Sequence, residues 1–313
     1  MKIPKISTVG MVTVGHDGDA ASLEFSQPQI IQHLAFLPIR TSNVKENLLE
    51  VFALIEEFKL EHDIIVRDHG NYDTAVYENK TNKTLIVPPA THMKGGHQNR
   101  GNNEVEVIAD GDTVHVNVNC FEPSRGSGND TFVEFDDVPP DVARETMKNT
   151  EGYNGTWNII RDYTNLTKNA NGDALSSYNS ATAEKRAKFA LNFETMEGQT
   201  GAVIITKDLT MVEIFPTPNT FNVYAQRVMR GKAASLYHKL SEEKTGELVM
   251  PSEVEERVEK AITALQMGID QTLHRGTKKN GAIIGRARAG NKVMDIILTD
   301  TEPPQLAYAF GVF

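Results

Sequence analysis

The densest run of chemistry-bearing residues is Gly95-Gly96-His97-Gln98-Asn99-Arg100, preceded by Lys94, and a second run follows at Cys120-Phe121-Glu122-Pro123-Ser124-Arg125. Adjacent glycines let a backbone turn sharply and bring amides close to a ligand, as in phosphate-cradling loops; the same pair also makes an ordinary turn between strands. The next four residues combine an imidazole, two carboxamides and a guanidinium with no apolar side chain to bury. That composition suits a polar, hydroxyl-rich or phosphorylated ligand, or a polar network that ties a loop down. Arg100 and Arg125 are planar forks matched to phosphate or carboxylate, and Lys94 adds a point charge. Glu122 lies two residues beyond Cys120 and, on a continuing strand, leaves from the same face, where it can meet either arginine. It is the candidate for any acid–base step, and a buried Glu–Arg pair holding the two segments together is the other reading, ahead of catalysis. The expected ligand-binding set is Lys94, Gly95, Gly96, His97, Gln98, Asn99, Arg100, Glu122 and Arg125, gathered in one polar, cationic pocket.

Other reactive groups read as structural. Cys120 shares a strand face with Val114, Val116 and Val118, which should raise its pKa and leave it inert. His92 and His97 could join Glu122 around a metal, but their spacing is no zinc pattern and no cysteine pair helps, so no metal is expected. Nucleophile-elbow, P-loop and dinucleotide-binding motifs are absent, so hydrolase triads and nucleotide-binding folds have no support here, and the cofactor is left open. Trp157, the sole tryptophan, reads as a core anchor among Ile159 and Ile160.

The segment that must hold the two motifs is rich in short β runs. Between Ile64 and Phe135, IIVRD, TAVYE, TLIVP, EVEVIAD, TVHVNVNCF and TFVEF are separated by Gly, Asn, Asp and Pro, which predicts an antiparallel, meander-like stretch. EVEVIAD and TVHVNVNCF, joined at Asp110-Gly111, predict a hairpin that returns the chain from the first motif to the second, so Arg100 and Arg125 should come together. Ahead of it Leu48, Val51, Phe52, Ile55 and Phe58 fall at helical spacing from Val44, with Asn43 and Glu46 as a capping box. Behind it DVARETMKNT and NGTWNIIRDYTNL read as helices, NANGDALSSYNS as a loop and SATAEKRAKFALNF as a helix. GAVIITKDLTMVEIF reads as β structure, followed by a helix containing Phe221, Tyr224, Val228, Ala233 and Leu236. Val254, Val258, Ile262, Leu265, Ile269 and Leu273 form a long apolar helical stripe from a Ser252–Glu255 capping box to Gly276. Two final strands, GAIIG and NKVMDIILTD, follow a TKKN turn. The expected fold is α+β: antiparallel or mixed sheets with packed amphipathic helices. It makes one two-lobed domain over residues 1–313, with a β-rich lobe at about 1–138, a helical and β lobe at about 139–313, and a boundary around 136 to 156.

With 313 residues the chain can bury roughly three quarters of its unfolded surface without disulfide or metal. A single cysteine points to a reducing compartment, so the Asn-x-Ser/Thr matches at Asn79, Asn82, Asn129, Asn154 and Asn165 read as chance, and a cytoplasmic location is expected. MKIPKISTVG has no apolar stretch behind its lysines, and no run approaches a membrane span, so neither export nor membrane insertion is expected. Asp and Glu total 42 against 32 Lys and Arg, a net charge of −10, which argues against binding duplex nucleic acid through a broad basic face.

The pairing of GG-x-QNR with C-x-E-x-x-R resembles the signature of the ARG-and-Rhodanese-Phosphatase-superfamily-associated Protein domain family. Further agreement comes from NGTWNII around Trp157, LSSYNS, GQTGAVIITKD and EIFPTPNTF, so the resemblance covers roughly residues 40 to 240. The chain departs from the pattern at Pro89-Ala90-Thr91-His92, where an acidic residue is expected, and at Gly126, where an aromatic is expected. The family's association with ADP-ribosylglycohydrolases implies binding, with or without hydrolysis, of a small anionic nucleotide-derived metabolite of ADP-ribose type. Loss of the acid near Thr91 implies the alternative, a non-catalytic sequestering or interaction protein of the kind a virus or mobile element encodes. A structural subunit of a homo-oligomer is a third reading.

Overall fold

In the computed structural model, which describes residues 9–12, 22–42, 52–68, 70–71, 73–149, 152–167, 173–243 and 247–313, helices and strands are both abundant. The first strands are β1 (Val9–Met11), β2 (Ser22–Phe25), β3 (Gln29–Ile31) and β4 (Leu34–Ser42). Then come β5 (Phe52–Leu54), β6 (Ile64–Arg67), β7 (Thr74–Asn79), β8 (Thr84–Val87), β9 (His92–Gly95), β10 (Arg100–Asn102), β11 (Glu106–Ile108), β12 (Thr113–Cys120) and β13 (Phe132–Asp136). Helices α1 (Pro140–Lys148), α2 (Tyr153–Asn165) and α3 (Leu175–Ala190) precede β14 (Gly201–Ile205) and β15 (Thr210–Ile214). Helix α4 (Pro218–Gln226) continues through a π-helical stretch, Arg227–Ala234, into α5 (Ser235–Glu243). The chain closes with α6 (Pro251–Arg275), β16 (Thr277–Lys279), β17 (Ala282–Ala289), β18 (Lys292–Thr299) and β19 (Leu306–Val312). The fold is α+β.

Met1–Glu50 and Phe189–Phe313 form one unit and Val51–Lys188 the other. The stretch from 136 to 156, read as a junction between lobes, lies inside the second unit.

The first unit is built on a ten-stranded antiparallel sheet in the order β1-β2-β4-β14-β15-β19-β18-β17-β16, with β3 on β4. Helix α6 buries Val254, Val258, Ala261, Leu265 and Ile269 against Val203, Val212 and Ile296 of that sheet. Each of the valine, leucine and isoleucine side chains, fully buried, contributes about 1.5–3 kcal/mol. Close approach of helix and sheet needs Gly285, where a Cβ would sit 1.8 Å from Thr272 Oγ1. The helix begins two residues earlier than the Ser252–Glu255 box implies. Pro251 takes the first helical position, and the Glu253 carboxylate accepts the Met250 N–H at 3.0 Å.

In the second unit a six-stranded sheet runs β13-β9-β10-β12-β7-β6 beside a three-stranded sheet β11-β8-β5, whose β5–β8 pair is parallel. Four sequence expectations are corrected here. Strands β9 and β10 occupy what reads as loop, because their residues are polar and lack an apolar alternation. Strand β11 pairs with β8, not with β12, so the Asp110-Gly111 turn does not close a hairpin. Phe52–Leu54 is a strand and Ile55–Glu57 a 3₁₀ turn where a helix was expected; residues 43 to 51 of that helix lie outside the described residues. Helix α3 starts at Leu175, so LSSYNS is its first turns and not a loop.

Candidate functional site

The two motifs converge, and strand register is the reason. Strand β10 lies between β9 and β12, with Arg100 opposite both Met93 and Cys120. The turn before β10 is made by Gly95 (φ 114°) and Gly96 (φ 59°), a conformation that L side chains rarely adopt. A Cβ on Gly96 would also meet the Phe132 ring at 2.8 Å. The glycine pair therefore wraps the turn over a buried phenylalanine.

Arg125 closes the junction from the second motif. Its Nε and Nη2 donate to Glu122 Oε2 at 2.9 and 2.7 Å, Nη1 donates to the Gly96 carbonyl at 2.8 Å, and Nη2 donates to the Gly95 carbonyl at 3.0 Å and Asn99 Oδ1 at 3.2 Å. The same Glu122 oxygen accepts the Asn99 N–H at 3.1 Å, and Gln98 Nε2 donates to the Glu122 carbonyl at 3.1 Å. Asn99 Nδ2 reaches Ser176 Oγ at 3.0 Å, and the Leu175 N–H donates to the Phe121 carbonyl at 3.2 Å, so the start of α3 is stitched to both motifs.

Arg100 does not share this junction with Arg125 as a second surface cation. It is 1 % exposed, and its Nε donates to Asp68 Oδ2 at 3.4 Å. Asp68, equally buried, also accepts the Gly70 N–H at 3.1 Å and the His97 N–H at 3.2 Å. Lys94 pairs with Glu134 at 2.6 Å and His97 Nε2 with Asp130 at 3.3 Å; both carboxylates are well exposed, at 63 % and 78 %. The cations of the two motifs thus each have an acidic neighbour. Within the two motifs one buried side-chain acceptor has no partner among the described residues, Gln98 Oε1, on a side chain only 5 % exposed; outside them Asn103 Oδ1 and Asn179 Oδ1 are in the same position.

Burial pushes the Cys120 thiol above its ordinary pKa; the Glu122 N–H and the Arg100 charge pull the other way, each by less. The thiol is a weak nucleophile for that reason. Trp157 is half-buried, with its ring 4.5 Å from Tyr153. His92 is buried edge-on to Phe121, and its Nδ1 lies 3.4 Å from the Asp137 carbonyl, while His97 faces Asp130; among the described residues no three His, Cys, Asp or Glu side chains form a metal-binding group. No helix among the described residues is long and apolar enough to cross a membrane.

Sequence reasoning missed the residues that hold the motifs in place. Asp68 ends the IIVRD run and carries no motif of its own; Ser176 sits in LSSYNS, which pointed to the region but not to the contact. A further buried ion pair joins Asp137 to Arg186 on α3 at 3.1 Å, with Arg186 also donating to Thr182 Oγ1 and the Asn179 carbonyl. Its partners lie 49 residues apart, beyond the reach of local patterning.

The fold and the junction define an α+β protein with a polar, internally neutralised site built on the ends of interior strands and a helix start. The chain belongs to the ARG and Rhodanese-Phosphatase-superfamily-associated Protein domain family, which it matches over residues 22–290, a span that includes both motifs and the start of α3. No curated protein and no solved structure matches the chain.

Proposed function

We propose that the second unit binds a small, hydroxyl-rich, phosphorylated metabolite of ADP-ribose type at the junction of GGHQNR with CFEPSR. The observation that carries this reading is the Gln98 Oε1 acceptor, buried without a partner beside Glu122. A buried acceptor left unmatched costs about 1–3 kcal/mol, and a ribose hydroxyl is a donor of the right size to relieve it. Phosphate is matched to Lys94 and His97, because the exposed carboxylates now paired with them exchange at little cost. Arg100 contributes from behind, through Asp68 and the His97 amide.

Binding fits the site better than turnover. Glu122 Oε2 already accepts three N–H donors, Cys120 is a poor nucleophile, and the Pro89–His92 stretch has no carboxylate. A second reading, that the motifs form a closed structural network, draws on Arg125, whose Nε, Nη1 and Nη2 all have acceptors within the protein. Calorimetric titration with ADP-ribose, NAD and ADP, followed by chromatography of the recovered ligand, separates the readings. Saturable heat with intact ligand is the expected outcome. Conversion of ligand would make the protein a hydrolase, and absence of heat with all three would favour the network.

A further inference from the structure

The first unit holds a groove of about 420 Å³ between the last two turns of α6 and strands β17 and β18, lined by Gln271, Arg275, Ile284, Arg286, Met294 and Ile296 among others. No acidic residue lines it. That is notable in a chain with 42 acids and 32 cations, and the surrounding sequence extends the asymmetry: Arg275, Lys278, Lys279, Arg286, Arg288 and Lys292 occur with no Asp or Glu between Asp270 and Asp295. Arg275 is exposed at the groove and, among the described residues, has no carboxylate partner. Met294 and Ile296, both buried, give the groove an apolar floor, and Gln271 adds a carboxamide at its rim. Volume, apolar floor and a few polar groups at one end are the ordinary composition of a small-molecule site.

We infer that this groove is a second ligand site, for an amphipathic anion whose carboxylate or phosphate head meets Arg275 and whose apolar body lies on Met294 and Ile296. A guanidinium takes either head group as a two-pronged hydrogen-bond partner. Cations are disfavoured there by Arg275 and Arg286, and fully polar anions leave the floor uncovered. The site is independent of the GGHQNR junction and stands or falls without it.

The test uses the full chain labelled with ¹³C-methyl methionine, in which the Met294 signal is assigned by its loss in Met294→Leu. Octanoate, octyl phosphate and octylamine are titrated in turn. A saturable shift of the Met294 methyl with either acid, and none with octylamine, is expected, and the acid that acts identifies the head group. Arg275→Gln, an exposed change, should weaken that binding by about tenfold, the scale of one charged hydrogen bond. No shift with either acid, an equal shift with octylamine, or unchanged affinity in Arg275→Gln would each overturn the assignment.

Discussion

Replacing Asp68 with alanine should destabilise the second unit more than any change to the exposed ion pairs of the same loop. Asp68 and Arg100 are each 1 % exposed, so Asp68→Ala leaves a guanidinium in the interior without its carboxylate and also strips acceptors from the Gly70 and His97 amides. Removing one member of a buried pair costs about 3–5 kcal/mol, a large share of the 5–15 kcal/mol that holds a domain. Arg100→Met should cost less, about 1–3 kcal/mol, because the carboxylate it leaves still accepts two amide N–H groups. The double variant should therefore cost clearly less than the sum of the two. Urea unfolding followed by the fluorescence of Trp157, the sole tryptophan and a residue of this unit, reads each change. A cost below about 1 kcal/mol for Asp68→Ala, or strict additivity in the cycle, would refute the assignment of Arg100 to a core pair.

Three further outcomes are expected. Gly96→Ala combines a left-handed φ of 59° with a Cβ 2.8 Å from the Phe132 ring, and should lower stability by about 2 kcal/mol or more in the same assay, whereas Gly111→Ala, with open space around it, should cost only the backbone strain of about 1 kcal/mol. Burial raises the Cys120 thiol, so the folded state holds a proton that the unfolded chain gives up above about pH 9; stability should fall as pH rises from there, Cys120→Ala should flatten that slope, and the buried Tyr77 hydroxyl, also pushed up, should account for what remains near pH 10 and above. Glu122→Gln removes the negative partner of Arg125 but keeps an acceptor, and should cost about 1.5–3 kcal/mol in urea unfolding; no loss would mean that Glu122 is not what fixes the arginine.

Strands rich in β-branched and aromatic residues between turn residues were legible in the sequence, as in β6, β7, β8 and β12, and in β6 burial on one face also writes itself as a period of two. Strands β9 and β10 were not, since His92, Asn99, Arg100 and Asn102 are buried by ion pairs and carboxamide bonds that a hydropathy pattern cannot register. Strand β19, Leu306–Val312, is buried at every position and offers no alternation at all. At the start of α3, Ser176, Ser177, Asn179 and Ser180 favour turns locally, and tertiary contacts such as Asn179 Nδ2 to the Asp137 carbonyl override that preference. The Phe52–Glu57 stretch shows the converse: a short apolar run fits either period, and its parallel partner β8 decides for the strand.

The candidate site divides in the same way. The meeting of the two motifs was foreseen, but through a β11–β12 hairpin that does not exist; the cause is the adjacency of β10 and β12. Charge type was legible and charge pairing was not, because Asp68, Asp130 and Glu134 approach from other strands and turns. Where the sequence reads as a polar, cationic pocket, the structure has a junction whose cations each face an acid and in which Gln98 Oε1 is unmatched.

The most direct test of the central proposal is calorimetric titration of ADP-ribose into the native chain and into Gln98→Leu, which replaces the unmatched acceptor with an apolar side chain of similar reach. Saturable binding to the native chain, weakened by about tenfold in Gln98→Leu while Trp157-monitored urea unfolding shows the variant still cooperatively folded, is the expected result. Equal affinity of the two proteins for ADP-ribose, or binding by neither, would contradict the proposal.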